Sequence, residues 1–106
     1  MNKILERLDL TIQRKITESP NKSHTASLLK KGTKKCAEKF GEEAIELVVA
    51  CVGKKKKEII GEAADTLYHM CVLLRSKNIS INQVLLELAS REGISGIEEK
   101  RKRNIK

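Results

Sequence analysis

Two short groups of acids are the residues best placed to do chemistry. Glu42, Glu43 and Glu46 stand as E-E-x-x-E, and Glu62 and Asp65 as E-x-x-D. On a helix, side chains three or four positions apart share a face. Glu43 therefore projects with Glu46, and Glu62 with Asp65. If the chain folds back on itself near Lys54, facing residues have positions with a constant sum. Glu46 then meets Glu62, Glu43 meets Asp65, and the apolar pair Ala44 and Ala64 falls in the same register. Four carboxylates at one level repel one another, by roughly 3 kcal/mol per pair at ~6 Å and an effective dielectric of ~20. They need cations. Lys34, Lys35 and Lys39 precede the acids and Lys54–Lys57 lie at the corner, so ammonium groups are one solution. A hard divalent ion is the other. Oxygen-only ligands suit Mg²⁺ or Mn²⁺, and Mg²⁺ pairs a few carboxylates with substrate phosphates. One ExxE on a Lys-rich helix is ordinarily a solvated face with weak ion pairs. Two such pairs at mirrored positions of one hairpin favour the metal.

The elements that must carry these acids read as helices. Leu5, Leu8, Ile12 and Ile16 give a helix over 3–17. Ser19-Pro20-Asn21 is a loop, followed by a short helical turn that starts near Ser23 or Thr25, contains Leu28 and Leu29, and ends at Gly32. A long helix over 34–52 has Ala37, Phe40, Ala44, Leu47 and Cys51 as its apolar stripe. Gly53 is placed as its left-handed C-cap. A second long helix over about 57–77 has Ile60, Ala64, Leu67, Cys71 and Leu74 as its stripe. Ser80 with Gln83 has capping-box spacing and opens a fourth helix, which Gly93 ends. Residues 94–106 read as a loosely held basic tail. The expected fold is all-α: an antiparallel helical hairpin within a bundle, as a single domain over 1–106.

Composition narrows the function. The chain has 106 residues, 40% hydrophobic and 34% charged, which fits one globular domain rather than a membrane-embedded or disordered chain. Aromatics are 2%, which argues against stacking bases of single-stranded nucleic acid. The net charge is +8, yet seven of the fourteen acids lie between Glu38 and Asp65. An acidic centre in a basic surround suits a metal site that receives a polyphosphate better than a DNA-binding stripe. Cys36, Cys51 and Cys71 are odd in number and form no Cys-x-x-Cys pair, so neither a disulfide framework nor a cysteine zinc site is expected, and the compartment is a reducing cytoplasm. All three cysteines fit helical core positions. The longest apolar run, Leu47 to Val52, is far short of a bilayer span, and the N-terminus has no export signal.

The segment Lys39-Phe-Gly-Glu-Glu-Ala-Ile-Glu46, followed by Glu58-Ile-Ile-Gly-Glu-Ala-Ala-Asp65-Thr-Leu-Tyr-His69, resembles the phosphoribosyl-ATP pyrophosphohydrolases of histidine biosynthesis. These belong to the MazG-type all-α nucleoside triphosphate pyrophosphohydrolases. The flanks Ser23-His-Thr-Ala-Ser-Leu-Leu-Lys-Lys-Gly32 and Arg91-Glu-Gly-Ile-Ser-Gly-Ile-Glu-Glu-Lys100 also resemble the family's pattern, so the likeness covers about residues 20–100. It implies a homodimeric helical bundle and Mg²⁺-dependent cleavage of phosphoribosyl-ATP to phosphoribosyl-AMP and pyrophosphate. It also implies metal ligation by Glu43, Glu46, Glu62 and Asp65, with Glu42 as a further carboxylate that supports the ligands or orients water. The chain is too short for the cyclohydrolase domain often fused to this enzyme.

Either Glu42 or Glu46 could take the proton from the attacking water. Lys39, one turn from Glu42 and Glu43 and matching the family pattern, is the first candidate for an outer phosphate, and Lys35 the second. His69 lies on the face of Asp65 and either contacts substrate or holds a carboxylate. Arg91, Ser95 and Gly96 match the family pattern and are expected to reach the substrate, across a dimer interface. Dimerisation also helps so small a chain bury both faces of its long helices. Two other functions stay open: a house-cleaning pyrophosphohydrolase of the same fold acting on other nucleoside triphosphates, and a non-enzymatic basic helical protein that binds nucleic acid.

Overall fold

The computed structural model describes residues 2–93, which form five helices: α1 (Asn2–Lys15), α2 (His24–Lys31), α3 (Thr33–Gly53), α4 (Lys56–Ser76) and α5 (Ile81–Ser90). No strand occurs among the described residues, so the all-α expectation holds. The expected tail at 94–106 lies outside the described residues. Local signals explain the boundaries. The Ser23 side chain accepts the Ala26 N–H and caps α2. Ser80 and Gln83 form the expected capping box at the start of α5. Gly32 takes φ 99° between α2 and α3, a backbone that glycine adopts without steric cost. Gly53 does not behave as expected. It closes α3 without left-handed backbone, and extended Lys54 is the cap residue, its N–H donating to Ala50 O at 2.8 Å.

The core sits at one end of the α3–α4 hairpin. Ile12 from α1, Leu28 from α2, Cys36 from α3, Cys71 and Val72 from α4, and Ile81 from α5 are buried together. Burying each of the larger aliphatic groups contributes about 1.5–3 kcal/mol. An ion pair locks this end. Asp9 accepts from Arg75 Nη2 at 2.7 Å and Nε at 3.3 Å, and from the Ile81 N–H at 2.9 Å. One carboxylate thus joins α1, α4 and the first turn of α5. A hydroxyl pair, Thr25 with Tyr68, ties α2 to α4.

The inward stripe of α3 differs from the expected one. Cys36, Glu43 and Ala50 are buried, with Phe40 and Leu47 half-buried, whereas Ala37 and Cys51 are exposed. Phe40 and Leu47 belong to both stripes, so the helix is turned by one residue at every other contact. On α4, Cys71 is buried as expected, but Ile60, Ala64 and Leu67 face outward. In their place Glu62, Ala63, Thr66 and His69 turn inward. Toward its tip the hairpin therefore keeps polar groups inside and leaves Ile45, Val48, Val49, Val52, Ile60 and Leu67 exposed.

Candidate metal centre

The turned hairpin brings its acids together. Glu43 on α3 and Glu62 and Asp65 on α4 each offer a carboxylate oxygen within 4.8 Å of the others. Glu43 is buried, with 9% of its surface exposed, Glu62 is half-buried and Asp65 is exposed. The group runs from the interior to solvent. Two of its oxygens, Glu43 Oε2 and Glu62 Oε2, are buried without any hydrogen-bond partner. A buried, unpaired carboxylate oxygen is costly. The same two residues, with Asp65, bring carboxylate oxygens close enough together for a hard divalent cation to be held.

The surrounding charges only half satisfy these acids. Lys39 Nζ lies 3.3 Å from Glu43 Oε1 and 3.8 Å from Glu42. His69 Nε2 lies 4.0 Å from the same Glu43 oxygen. Burial pushes the His69 imidazole below its ordinary value, with the Glu43 charge opposing, and His69 Nδ1 has no partner. Glu46 is exposed and its carboxyl lies beside that of Glu43. That contact holds the Glu43 carboxyl below the ordinary range against the effect of burial, and raises Glu46.

Beside the acids, α3 and α4 enclose a cleft of about 510 Å³. Ile45, Val49 and Ala50 form its apolar wall, Glu46, Glu62 and Asp65 its acidic lip, and Lys54 and Glu58 its far rim. Lys54 and Glu58 pair at 3.7 Å. A few convergent polar groups on an apolar wall, at this size, are the features of a small-molecule site.

The other expected residues are placed as follows. Lys35 pairs with Glu38 at 3.7 Å on the exposed side of α3, and Arg91 with Glu87 at 2.9 Å on α5. Ser95 and Gly96 lie outside the described residues. Glu42 is exposed and contacts only the Lys39 side of the group. Sequence reasoning gave no part to Thr66, whose hydroxyl lies between the Glu43 and Glu62 carbonyls. The signal available was a threonine one turn after Glu62. The cleft wall was also missed, because Ile45 and Val49 lay off the presumed stripe.

An all-helical hairpin that turns carboxylates inward beside a cleft places the chain in a class of protein whose acidic cluster could hold a divalent metal. A family model described as phosphoribosyl-ATP pyrophosphohydrolase matches residues 5–92. The phosphoribosyl-ATP pyrophosphatase of Dinoroseobacter shibae is 48% identical over 100 residues, 94% of this chain and 98% of that protein. Those of Paracoccus denitrificans and Rhodobacter capsulatus are 50% identical over 99 residues and 47% over 96 residues. The former match covers 93% of this chain and 92% of the relative, the latter 91% and 93%. The chain belongs to the phosphoribosyl-ATP pyrophosphohydrolase family, enzymes that hydrolyse a phosphoric anhydride. No helix among the described residues is long and apolar enough to cross a membrane.

Proposed function

We propose that this chain hydrolyses phosphoribosyl-ATP to phosphoribosyl-AMP and pyrophosphate in the histidine pathway, with Mg²⁺ as its metal and Mn²⁺ as a substitute. The observation that carries this reading is the carboxylate cluster of Glu43, Glu62 and Asp65, two of whose members also keep a buried, partnerless oxygen. Glu43, Glu62 and Asp65 would hold the ion, with Glu46 as the fourth ligand or the base. When bound, the metal screens phosphate charge and lowers the pKa of a coordinated water. The chain's residues supply the rest. The apolar wall of the cleft takes the nucleoside, and Lys39 leaves Glu43 to meet an outer phosphate. Water attacks the α-phosphorus, the bond to the bridging oxygen of the β-phosphate breaks, and pyrophosphate departs. Glu46 is the favoured proton acceptor, since its exposed carboxylate has a raised proton affinity and a general base works best near the working pH. Glu42 supports Lys39.

The exposed side chains of Val48 and Val52 on α3, with Ile60 and Leu67 on α4, support a homodimer. Contiguous apolar surface of this kind marks an interface, and a self-complementary face closes a two-fold pair. The catalytic test is pyrophosphate release from phosphoribosyl-ATP and a panel of nucleoside triphosphates, with Mg²⁺ or with EDTA. Rapid Mg²⁺-dependent release from phosphoribosyl-ATP is the expected result. Release chiefly from ordinary or damaged triphosphates contradicts the substrate, and release unaffected by EDTA contradicts the metal.

A further inference from the structure

The α3–α4 hairpin has to hold carboxylates from two helices in register, and the means is visible in one side chain. Thr66 Oγ1 lies 2.8 Å from Glu62 O, one turn back on α4, and 3.2 Å from Glu43 O on α3. A hydroxyl has one hydrogen to donate, so it is shared between the two carbonyls. Those carbonyls belong to the two residues whose side chains carry the partnerless buried oxygens. Ala44 and Ala63 beside them are half-buried and small, so little side-chain interlock sets the register at this level. A second side-chain hydrogen bond between α3 and α4, Ser76 Oγ to Thr33 Oγ1 at 3.0 Å, lies at the opposite end of the hairpin.

We propose that Thr66 is a positioning residue: its hydroxyl, held between the Glu43 and Glu62 carbonyls, sets the separation of the two buried carboxylates and so the affinity of the site for a divalent cation. The inference rests on the metal reading given above. Both carbonyls lie within helices and accept from their own i+4 N–H groups. Thr66→Val therefore strands no acceptor, keeps the side-chain shape and has similar helix propensity, so the variant is expected to fold. Its cost falls on the alignment of the site, where supporting contacts commonly set metal affinity by about 10–100-fold.

The test is Mn²⁺ binding by electron paramagnetic resonance, well below the melting temperature, for wild type, Thr66→Val, Thr66→Ser and Ser76→Ala. Thr66→Val is expected to bind about tenfold or more weakly. Thr66→Ser, which keeps the hydroxyl, is expected to restore affinity to within about threefold, and Ser76→Ala to leave it unchanged while lowering thermal stability. Unchanged affinity in a folded Thr66→Val overturns the inference and leaves the metal site intact. Equal loss in Ser76→Ala also overturns it, since any loosening of the hairpin would then suffice. A folded wild type that binds no Mn²⁺ overturns the metal reading and the inference with it.

Discussion

Asp9 and Glu43 are both buried carboxylates, exposed by 5% and 9%, in two ends of one bundle. Asp9 has both oxygens occupied by Arg75 and the Ile81 N–H. Glu43 spends one oxygen on Lys39 and leaves the other buried without a partner. The first end is finished by the chain itself. The second is left for something the chain does not supply. Ile12, Leu28, Val72 and Ile81 are packed inside the first end, although Leu10, Leu86 and Leu88 on α1 and α5 are exposed as Ile45, Val48, Val49 and Val52 are on α3. A buried acid is thus not informative by itself; the state of its second oxygen separates structural from functional.

The sharpest way to break this contrast is to remove one acid from each end. Asp9→Ala leaves the Arg75 guanidinium buried and unpaired. It should cost about 3–5 kcal/mol in urea unfolding, and a loss under about 1 kcal/mol would mean that Asp9 does not hold its end. Glu43→Gln removes a charge that the fold does not need and relieves its conflict with Glu46. Unfolding free energy should stay within about 1 kcal/mol of wild type, while Mg²⁺-dependent pyrophosphate release falls by about 100-fold or more.

A milder probe is alkaline pH, read through the two buried thiols of the finished end. Burial raises the Cys36 and Cys71 thiols, and the nearby Asp9 charge raises Cys71 further. Above pH 9.0, the ordinary thiol value, the unfolded chain loses these protons before the folded one. Their contribution is therefore full below that pH and is lost as pH rises through it. Denaturation midpoints measured on both sides of pH 9.0 should fall less steeply in Cys71→Ala than in wild type. The smallest expected effect belongs to the open end. Gly61 lies in α4 on the cleft, and a Cβ there meets nothing within 4 Å. Gly61→Ala should raise stability by up to about 1 kcal/mol through helix propensity; a loss would mean that the outer face is packed more closely than its exposure indicates.

The same division governs what could be read from sequence. Helix starts at Ser23 and Ser80 were legible because a cap is local chemistry within three residues. The acids of the site were legible because three- and four-residue spacing is a property of any helix. The rotation of α3 was not. Periodicity alone allows either Cys36, Glu43 and Ala50 or Ala37, Ala44 and Cys51 to share a face with Phe40 and Leu47. Preferring alanine to glutamate inside is sound for a core and fails where burial serves a ligand. The Asp9–Arg75 pair spans 66 positions, and no local pattern announces it. The register was read one residue short: Glu43 stands opposite Thr66, and Thr33 opposite Ser76, because the two-residue corner is centred between Lys54 and Lys55 rather than on Lys54.

The proposed activity depends on a metal held by Glu43, Glu62 and Asp65. The most direct measurement is anomalous diffraction from crystals of this protein grown with Mn²⁺. A single strong peak is expected within coordination distance, about 2.2 Å, of Glu43, Glu62 and Asp65, with Lys39 displaced from Glu43. A peak only elsewhere, or none with Lys39 still seated on Glu43, would contradict it.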